Sequence, residues 1–427
     1  MRGIPGYRWY VASLLLISVY AMAVPTSVGQ DAAQFNSEGV ASYSKKKWDE
    51  AIQSFAQAYN LAPENEIVRR NLCNAYQAQA NELALASDFQ TAVDLLLTAI
   101  SVDPRNPSPL AQIGSYYLRL DMVQDAVYRL EESVELNADN MDVQELLGDA
   151  YYKSNDLPSA LAQWELVREV QPSRPGLADK LEKAYREEQV EYNFGKAESA
   201  HFRISFAPGT RGGDLSRVLQ ILERAYRDIG RKLGGAYPPT PIQVIVYTAD
   251  DFAKATNLDD HVGAVYDGKI RVPIVDKAGL TIDQGELQRR LYHEYTHVVV
   301  RFWAGNNVPW WLNEGLAETF SNDVTREDSV LLRDANSAGI LFSLDQLEES
   351  QLRKLDPGSL HLAYRQAHVT VSFLWNRYGH RGVSLLLENL SQGTGHEDAL
   401  VSSCRIDYAG LQREVIKSLG RMVSSAG

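Results

Sequence analysis

Small and bulky apolar positions recur at a fixed interval through the first half of the chain. Ala51, Ala92, Ala126 and Ala160 are each followed four positions later by Phe55, Leu96, Leu130 and Trp164. Twelve positions after each comes Pro63, Pro104, Ala138 and Pro172, and twelve before three of them stands Gly39, Gly114 or Gly148. The last two intervals are 34 residues and the first is 41. A small residue lets two helices approach, a bulky one fills the space between repeats, and proline ends the second helix. The pattern predicts stacked helical hairpins. The extra residues, within 77–86, amount to about two helical turns and can lengthen both helices of that repeat. Residues 174–192 read as a polar-faced capping helix.

The period changes after Gly195. HFRISFA (201–207) and IQVIVYT (242–248) read as strands. VGAVYDGKIRVPI (262–274) reads as a strand pair or single strand with a turn at Asp267-Gly268. Between the first two, Leu215–Leu233 has helical apolar spacing closed by Gly234-Gly235. Strands followed by helices predict an α+β domain. Thr281-Ile282-Asp283-Gln284 is a capping-box pattern, opening a helix that runs to about Ala304.

That helix carries the chemistry. His293-Glu294-Tyr295-Thr296-His297 puts two imidazoles one turn apart on one face, where they can grip one Zn²⁺. Glu294 then projects where it can take a proton from a water on the metal. A catalytic zinc needs a third protein ligand and one open position. Sixteen residues separate His297 from Glu314. The intervening Gly305-Asn306-Asn307 and Pro309 can reverse the chain, so that a second helix over Asn313–Phe320 returns a carboxylate to the histidines. Glu318, one turn along, is read as accepting a hydrogen bond from an imidazole rather than as a rival ligand. Trp310 and Trp311 are read as wedges between the two helices.

The first half resembles the tetratricopeptide repeat, with Ser42 and Ala138 departing from its usual residues. The likeness implies an all-α solenoid over residues 32–192, capping helix included, whose concave groove takes a peptide or protein partner. The second half resembles the gluzincin metallopeptidases, in which H-E-x-x-H is followed by N-E-G-[FL]-A, here Asn313-Glu314-Gly315-Leu316-Ala317. Within that clan it is similar to the peptidase-MA-like domains related to the M1 aminopeptidases, over residues 195–427. The resemblance implies His293, His297 and Glu314 as ligands of one zinc ion per chain, with Glu294 as general base. It also implies Tyr364 as the oxyanion-stabilising tyrosine, ahead of an apolar helix Val369–Tyr378, with His368 as a possible helper. Gly263, Ala264 and Val265 would form the strand edge that pairs with an extended substrate. The M1 signature on that edge contains a glutamate for the substrate amine. This chain reads Gly263-Ala264-Val265-Tyr266-Asp267 instead, which points to an endopeptidase.

Arg2 and Arg8 precede the apolar run Trp9–Ala23, ending Ala21-Met22-Ala23. A basic start, a short apolar core and an Ala-x-Ala end predict a cleavable export signal over 1–23, hence a periplasmic or secreted protein. An uncleaved anchor is the other reading, and with the signal cleaved no stable membrane span is left. A 45% apolar, 23% charged composition excludes a wholly disordered chain. The net charge of −13 disfavours nucleic-acid binding. Cys73 and Cys404 are read as separate buried thiols. Together these features predict an exported zinc metallopeptidase whose repeats recruit a protein substrate or partner. The alternative is a non-catalytic repeat scaffold with a structural zinc module.

Overall fold

The computed structural model describes residues 26–258, 263–348 and 355–424. The export signal expected at 1–23 lies outside the described residues. The chain divides into two compact units, Met1–Pro109 and Leu110–Gly427. In the first, α1 (Thr26–Ser44) and α2 (Trp48–Leu61) form one hairpin, and α3 (Glu66–Leu85) and α4 (Phe89–Val102) a second. The second unit continues the tetratricopeptide pattern with α5 (Pro107–Arg119, its first residues in the first unit), α6 (Val123–Leu136), α7 (Met141–Lys153) and α8 (Leu157–Val170). The capping helix follows as α9 (Leu177–Glu191).

The recurring residues pack as their spacing requires. Ala51, Ala92, Ala126 and Ala160 are fully buried. A Cβ added to Gly39, Gly114 or Gly148 would come 2.5 Å from Phe55, Leu130 or Trp164 respectively, so each glycine is the space its bulky partner fills. At the corresponding place in the longer repeat stands Ala80, also fully buried. Gly148→Ala is therefore expected to cost about 1–3 kcal/mol through overpacking, read as a lower denaturation midpoint of the full chain. The inserted residues do not lengthen both helices, as the sequence had suggested. α3 has 20 residues against 13 in α5 and α7, while α4 keeps the 14 of α2, α6 and α8. Asp88 caps α4 by accepting from the Thr91 N–H, and Ala92, Leu96 and Ala99 are fully buried, so that helix has no freedom to extend.

Beyond α9 lies a five-stranded sheet in the order β1-β2-β3-β5-β4. Its strands are β1 (Gly195–Glu198), β2 (Phe202–Phe206), β3 (Ile242–Thr248), β4 (Val265–Tyr266) and β5 (Ile270–Val275). β2, β3 and β5 are parallel, while β1 and β4 run antiparallel at the two edges. Side chains alternate between faces with period two. Ile204, Val244, Val246, Ile270 and Val272 face the main core with α10 (Gly212–Lys232) and α12 (Gln284–Ala304). Ile245 and Tyr247 face α11 (Ala249–Thr256), with Val190 and Phe194 from the end of the repeat region packed against them. The remaining helices are α13 (Trp310–Ser321), α14 (Arg326–Ser337), α15 (Pro357–Ser391, broken at Gly379), α16 (His396–Cys404) and α17 (Tyr408–Ser424). Cys73 and Cys404 are buried and free. Among the described residues no helix is long and apolar enough to cross a membrane.

On its second face the sheet is charged and dry. Arg271 of β5, 1% exposed, meets Glu187 Oε2 at 2.7 Å, Glu191 Oε1 at 3.0 Å and Asp267 Oδ1 at 3.1 Å. Its Nη1 also donates to the Tyr247 hydroxyl at 2.7 Å. Lys269, equally buried, donates to Asn155 Oδ1 at 2.7 Å and lies 3.9 Å from the Tyr152 ring centre. Burial and the neighbouring Arg271 push the Lys269 ammonium down to about 8. Glu187 and Glu191 belong to α9, Asn155 to the turn between α7 and α8, and Tyr152 to α7. The end of the repeat region is thus bonded into the back of the sheet.

Asp267, in the turn between β4 and β5, also receives Lys183 of α9 at 2.6 Å. Burial pushes its carboxyl up, but Arg271 and Lys183 outweigh that and hold it at about 2. A carboxylate depressed in the folded state stabilises fully above its ordinary pKa of about 3.9, and that contribution is lost as pH falls through the folded value. Wild type should therefore lose more thermal stability than Asp267→Asn between about pH 4 and pH 2, read from melting temperatures across that range.

Candidate metal centre

Helix α12 begins at Asp283, whose side chain accepts from the Gly285 and Glu286 N–H groups. The cap stands two residues beyond the expected Thr281, which instead bridges to Val275 beside the sheet. Nearly three turns on, His293 and His297 project together with ring centres 4.8 Å apart. Gly305, at φ 65°, ends the helix, and α13 starts at Trp310, earlier than expected. The α13 motif then places each side chain for a physical reason. Asn313 Oδ1 accepts from His297 Nδ1 at 3.0 Å. Glu314 faces both histidines. Gly315 lets α15 pass, since a Cβ there would lie 2.6 Å from the Ala367 carbonyl oxygen and 2.3 Å from Val371. Leu316 and Ala317 are fully buried in the core. Glu318 Oε1 lies 3.4 Å from His293 Nδ1.

The ring nitrogens left over converge. His293 Nε2 and His297 Nε2 lie 3.4 and 3.6 Å from Glu314 Oε2, and the ligand atoms of these three residues all fall within 4.8 Å of one another. Zn–N and Zn–O bonds of about 2.0–2.2 Å in a tetrahedron separate ligands by roughly 3.4 Å. The two separations from Glu314 suit a shared cation better than direct hydrogen bonds, while the widest separation in the set, up to 4.8 Å, would have to narrow around an ion. The set of two imidazoles and one carboxylate also fits the ligand preferences of a divalent zinc site.

Local charge favours a cation as well. Although burial opposes protonation of His293, Glu314, Glu318 and Glu294 outweigh it and raise its basicity. For Glu318 burial raises the carboxyl, but His293 and Arg365 prevail and hold it at about 2. Glu294 is pushed up, mainly by burial with Glu314 adding to it, while the two histidines oppose the shift. The nearby main-chain N–H of Tyr266 on β4 also opposes the shift.

The other expected site residues fall as follows. Val265 is in β4, the terminal strand of the sheet, paired in register with Arg271, and Gly263 and Ala264 lead into it. Arg290 of α12 donates to the Gly263 carbonyl at 3.0 Å. Tyr364 is partly buried with its ring edge-on to Trp310, 5.0 Å between centres. It lies inside α15, which begins at Pro357 rather than just ahead of Val369, because Asp356 caps the Gly358 and Ser359 N–H groups. Trp311 is buried with its ring edge-on to Tyr408 of α17, 5.9 Å between centres, and Trp310 is partly buried. His368 is fully enclosed, beside Glu318, Arg365 and Asp328, and neither ring nitrogen meets a partner with hydrogen-bond geometry. His201, for which the sequence offered no partner, pairs with Glu223 at 2.7 Å and stacks on Tyr226.

Sequence reasoning missed Asn313 and Arg365. Asn313 could have been found, since an amide next to a liganding carboxylate is well placed for an imidazole. An arginine within an apolar helix is a weaker signal, readable only as a buried charge that needs an acid.

Residues 229–419 match the family model described as the Peptidase MA superfamily. No curated protein matches the chain. Among solved structures, the first tetratricopeptide domain of Spaghetti, bound to an HSP90 peptide, is 22% identical, with a TM-score of 0.26, covering 26% of this chain and 90% of that one. The N-terminal domain of stress-induced protein-1 from C. elegans is 20% identical, with a TM-score of 0.26, covering 29% and 99%. YrrB, described as a tetratricopeptide protein with an unusual peptide-binding site, is 18% identical, with a TM-score of 0.30, covering 38% and 79%.

Proposed function

Taking the chain as a tetratricopeptide array joined to a peptidase-MA-like domain, we propose that it is an exported zinc metallopeptidase that cuts within peptide chains. The observation that carries this reading is the convergence of His293, His297 and Glu314 beside a carboxylate, Glu294, that is not part of the ligand set. A zinc ion there would supply Lewis acidity, making a water acidic and polarising the scissile carbonyl.

The remaining work falls to side chains. Asn313 Oδ1 accepts from His297 Nδ1, and the Glu318 carboxylate, 3.4 Å from His293 Nδ1 without a formed hydrogen bond, draws that side of the second ring toward it, which favours both Nε2 lone pairs turned inward. Glu294 takes the proton of the attacking water and returns it to the departing amine. Its raised pKa suits both halves of that exchange. Tyr364 donates to the developing oxyanion. The main chain of Gly263, Ala264 and Val265 pairs with an extended substrate at the open sheet edge, so that binding requires no free terminus. Export follows from the expected signal at 1–23, and the repeat groove would hold a protein substrate or partner.

Digestion of a mixed peptide library, analysed by mass spectrometry, tests the reading. Internal cuts by the zinc-loaded protein are expected. Removal of single terminal residues would point to an exopeptidase, and an uncut library would leave the site without this activity.

A further inference from the structure

We infer that Arg365 is a positioning residue of the metal centre, acting through Glu318 to hold His293 in its liganding orientation. The inference rests on the metal-site reading above and adds a residue to it. Arg365 Nη2 lies 2.6 Å from Glu318 Oε2, while the other oxygen of that carboxylate faces His293 Nδ1 at 3.4 Å. One carboxylate thus has a guanidinium bonded to one oxygen and an imidazole within ion-pair distance of the other, where His293 Nδ1 has no hydrogen-bond partner of its own among the described residues. A second acid anchors the guanidinium: Arg365 Nη1 is 3.8 Å from Asp328 Oδ1. Asp328 is itself fixed in the capping box of α14, accepting from the Thr325 N–H at 2.9 Å while its own N–H donates to Thr325 Oγ1 at 3.1 Å.

The four residues come from four elements: α12 supplies His293, α13 Glu318, the first turn of α14 Asp328, and α15 Arg365. Their side chains are largely enclosed, at 16% exposure for Arg365, 6% for Glu318 and 8% for Asp328. The guanidinium therefore has little water to fall back on. Glu294, Glu314 and Glu318 crowd three carboxylates around two imidazoles. Without a fixed cation on its outer oxygen, Glu318 would be free to turn away from His293 or to compete with Glu314 for the metal. Arg365 removes both options by engaging the oxygen that points away from the histidine. Arginine suits this because its planar fork can hold two acids in a fixed relation, which a single ammonium does less well.

The test uses the full chain with zinc and cobalt(II) as probes. Zinc affinity is measured by chelator competition, and coordination by the visible spectrum of the cobalt form. Arg365→Gln is expected to weaken zinc binding about 10–100-fold and to change the cobalt spectrum, as loss of such outer support typically does. Arg365→Lys, which keeps the charge but not the fork, should recover part of the affinity. Glu318→Gln alone and the double variant Glu318→Gln/Arg365→Gln complete a cycle. The double variant removes both charges of the Glu318–Arg365 pair and leaves Asp328 with its Thr325 N–H bond, so it is less disrupted than Arg365→Gln and remains measurable where that variant fails to fold. If Arg365 acts through Glu318, the double variant binds zinc within about twofold of Glu318→Gln, a non-additive outcome. Wild-type affinity and spectrum in Arg365→Gln would overturn the inference. So would a double variant weaker than Glu318→Gln by a further tenfold, or a lysine variant as weak as the glutamine one. A wild-type chain that takes up no zinc would overturn the metal-site reading itself, and this inference with it, before any variant is compared.

Discussion

Glu294→Gln is expected to keep zinc near one ion per chain and to lose peptide hydrolysis by at least about a hundredfold. The two parts of this expectation separate because Glu294 lies outside the triad that could hold the ion. An amide has nearly the size of a carboxylate, so the fold and the three residues that could hold the ion are left in place. It cannot take a proton from water. A structural zinc module has no use for a base at this position, and on that reading the variant would match wild type in every property. Elemental analysis together with the library digestion, run on both proteins, decides between them.

Arg271→Met is expected to destabilise the second unit by about 3–5 kcal/mol, because it strands Glu187 and Glu191 in a dry interface. Those two carboxylates are 1% and 3% exposed, and among the described residues Glu187 would keep only Lys269 at 3.7 Å and the more exposed Lys183 at 4.0 Å. The loss should appear as faster hydrogen exchange in both α9 and β5, since the side chain joins them. Unchanged protection in α9 would mean that the helix does not depend on the sheet. The same geometry bears on truncation. A chain begun at Gly195 would expose Arg271, Lys269 and Tyr247, all of which are now buried. Such a chain is expected to aggregate rather than gain activity, as it would if the repeats merely covered the cleft.

How far the sequence revealed this arrangement depended on what each signal measures. The repeats were legible because Gly114 and Leu130, or Gly148 and Trp164, are constrained as pairs, and a paired constraint repeated every 34 residues leaves a period. The two histidines of the candidate metal site were legible because a four-residue helical spacing fixes their geometry locally. β1 was not, since Gly-Lys-Ala-Glu has neither apolar alternation nor β-branched residues. The alternation in β5 was visible, but alternation says only that two faces differ, not that the polar one is wet. In this sheet Lys269 and Arg271 point into a second interface formed by residues roughly 80 positions earlier in the chain. Arg365 was hidden for the same reason, as its acids come from two other helices. The start of α12 was misplaced by two residues because Thr281 and Asp283 are both good caps, and the bridge between Thr281 and Val275 decides between them.

The most direct test is anomalous scattering at the zinc edge from crystals of the zinc-loaded full chain. One peak is predicted, about 2.0–2.2 Å from His293 Nε2, His297 Nε2 and a Glu314 oxygen, with a water completing the tetrahedron. A peak elsewhere on the chain, or a fully loaded crystal in which Glu314 is turned away from the ion, would contradict the account.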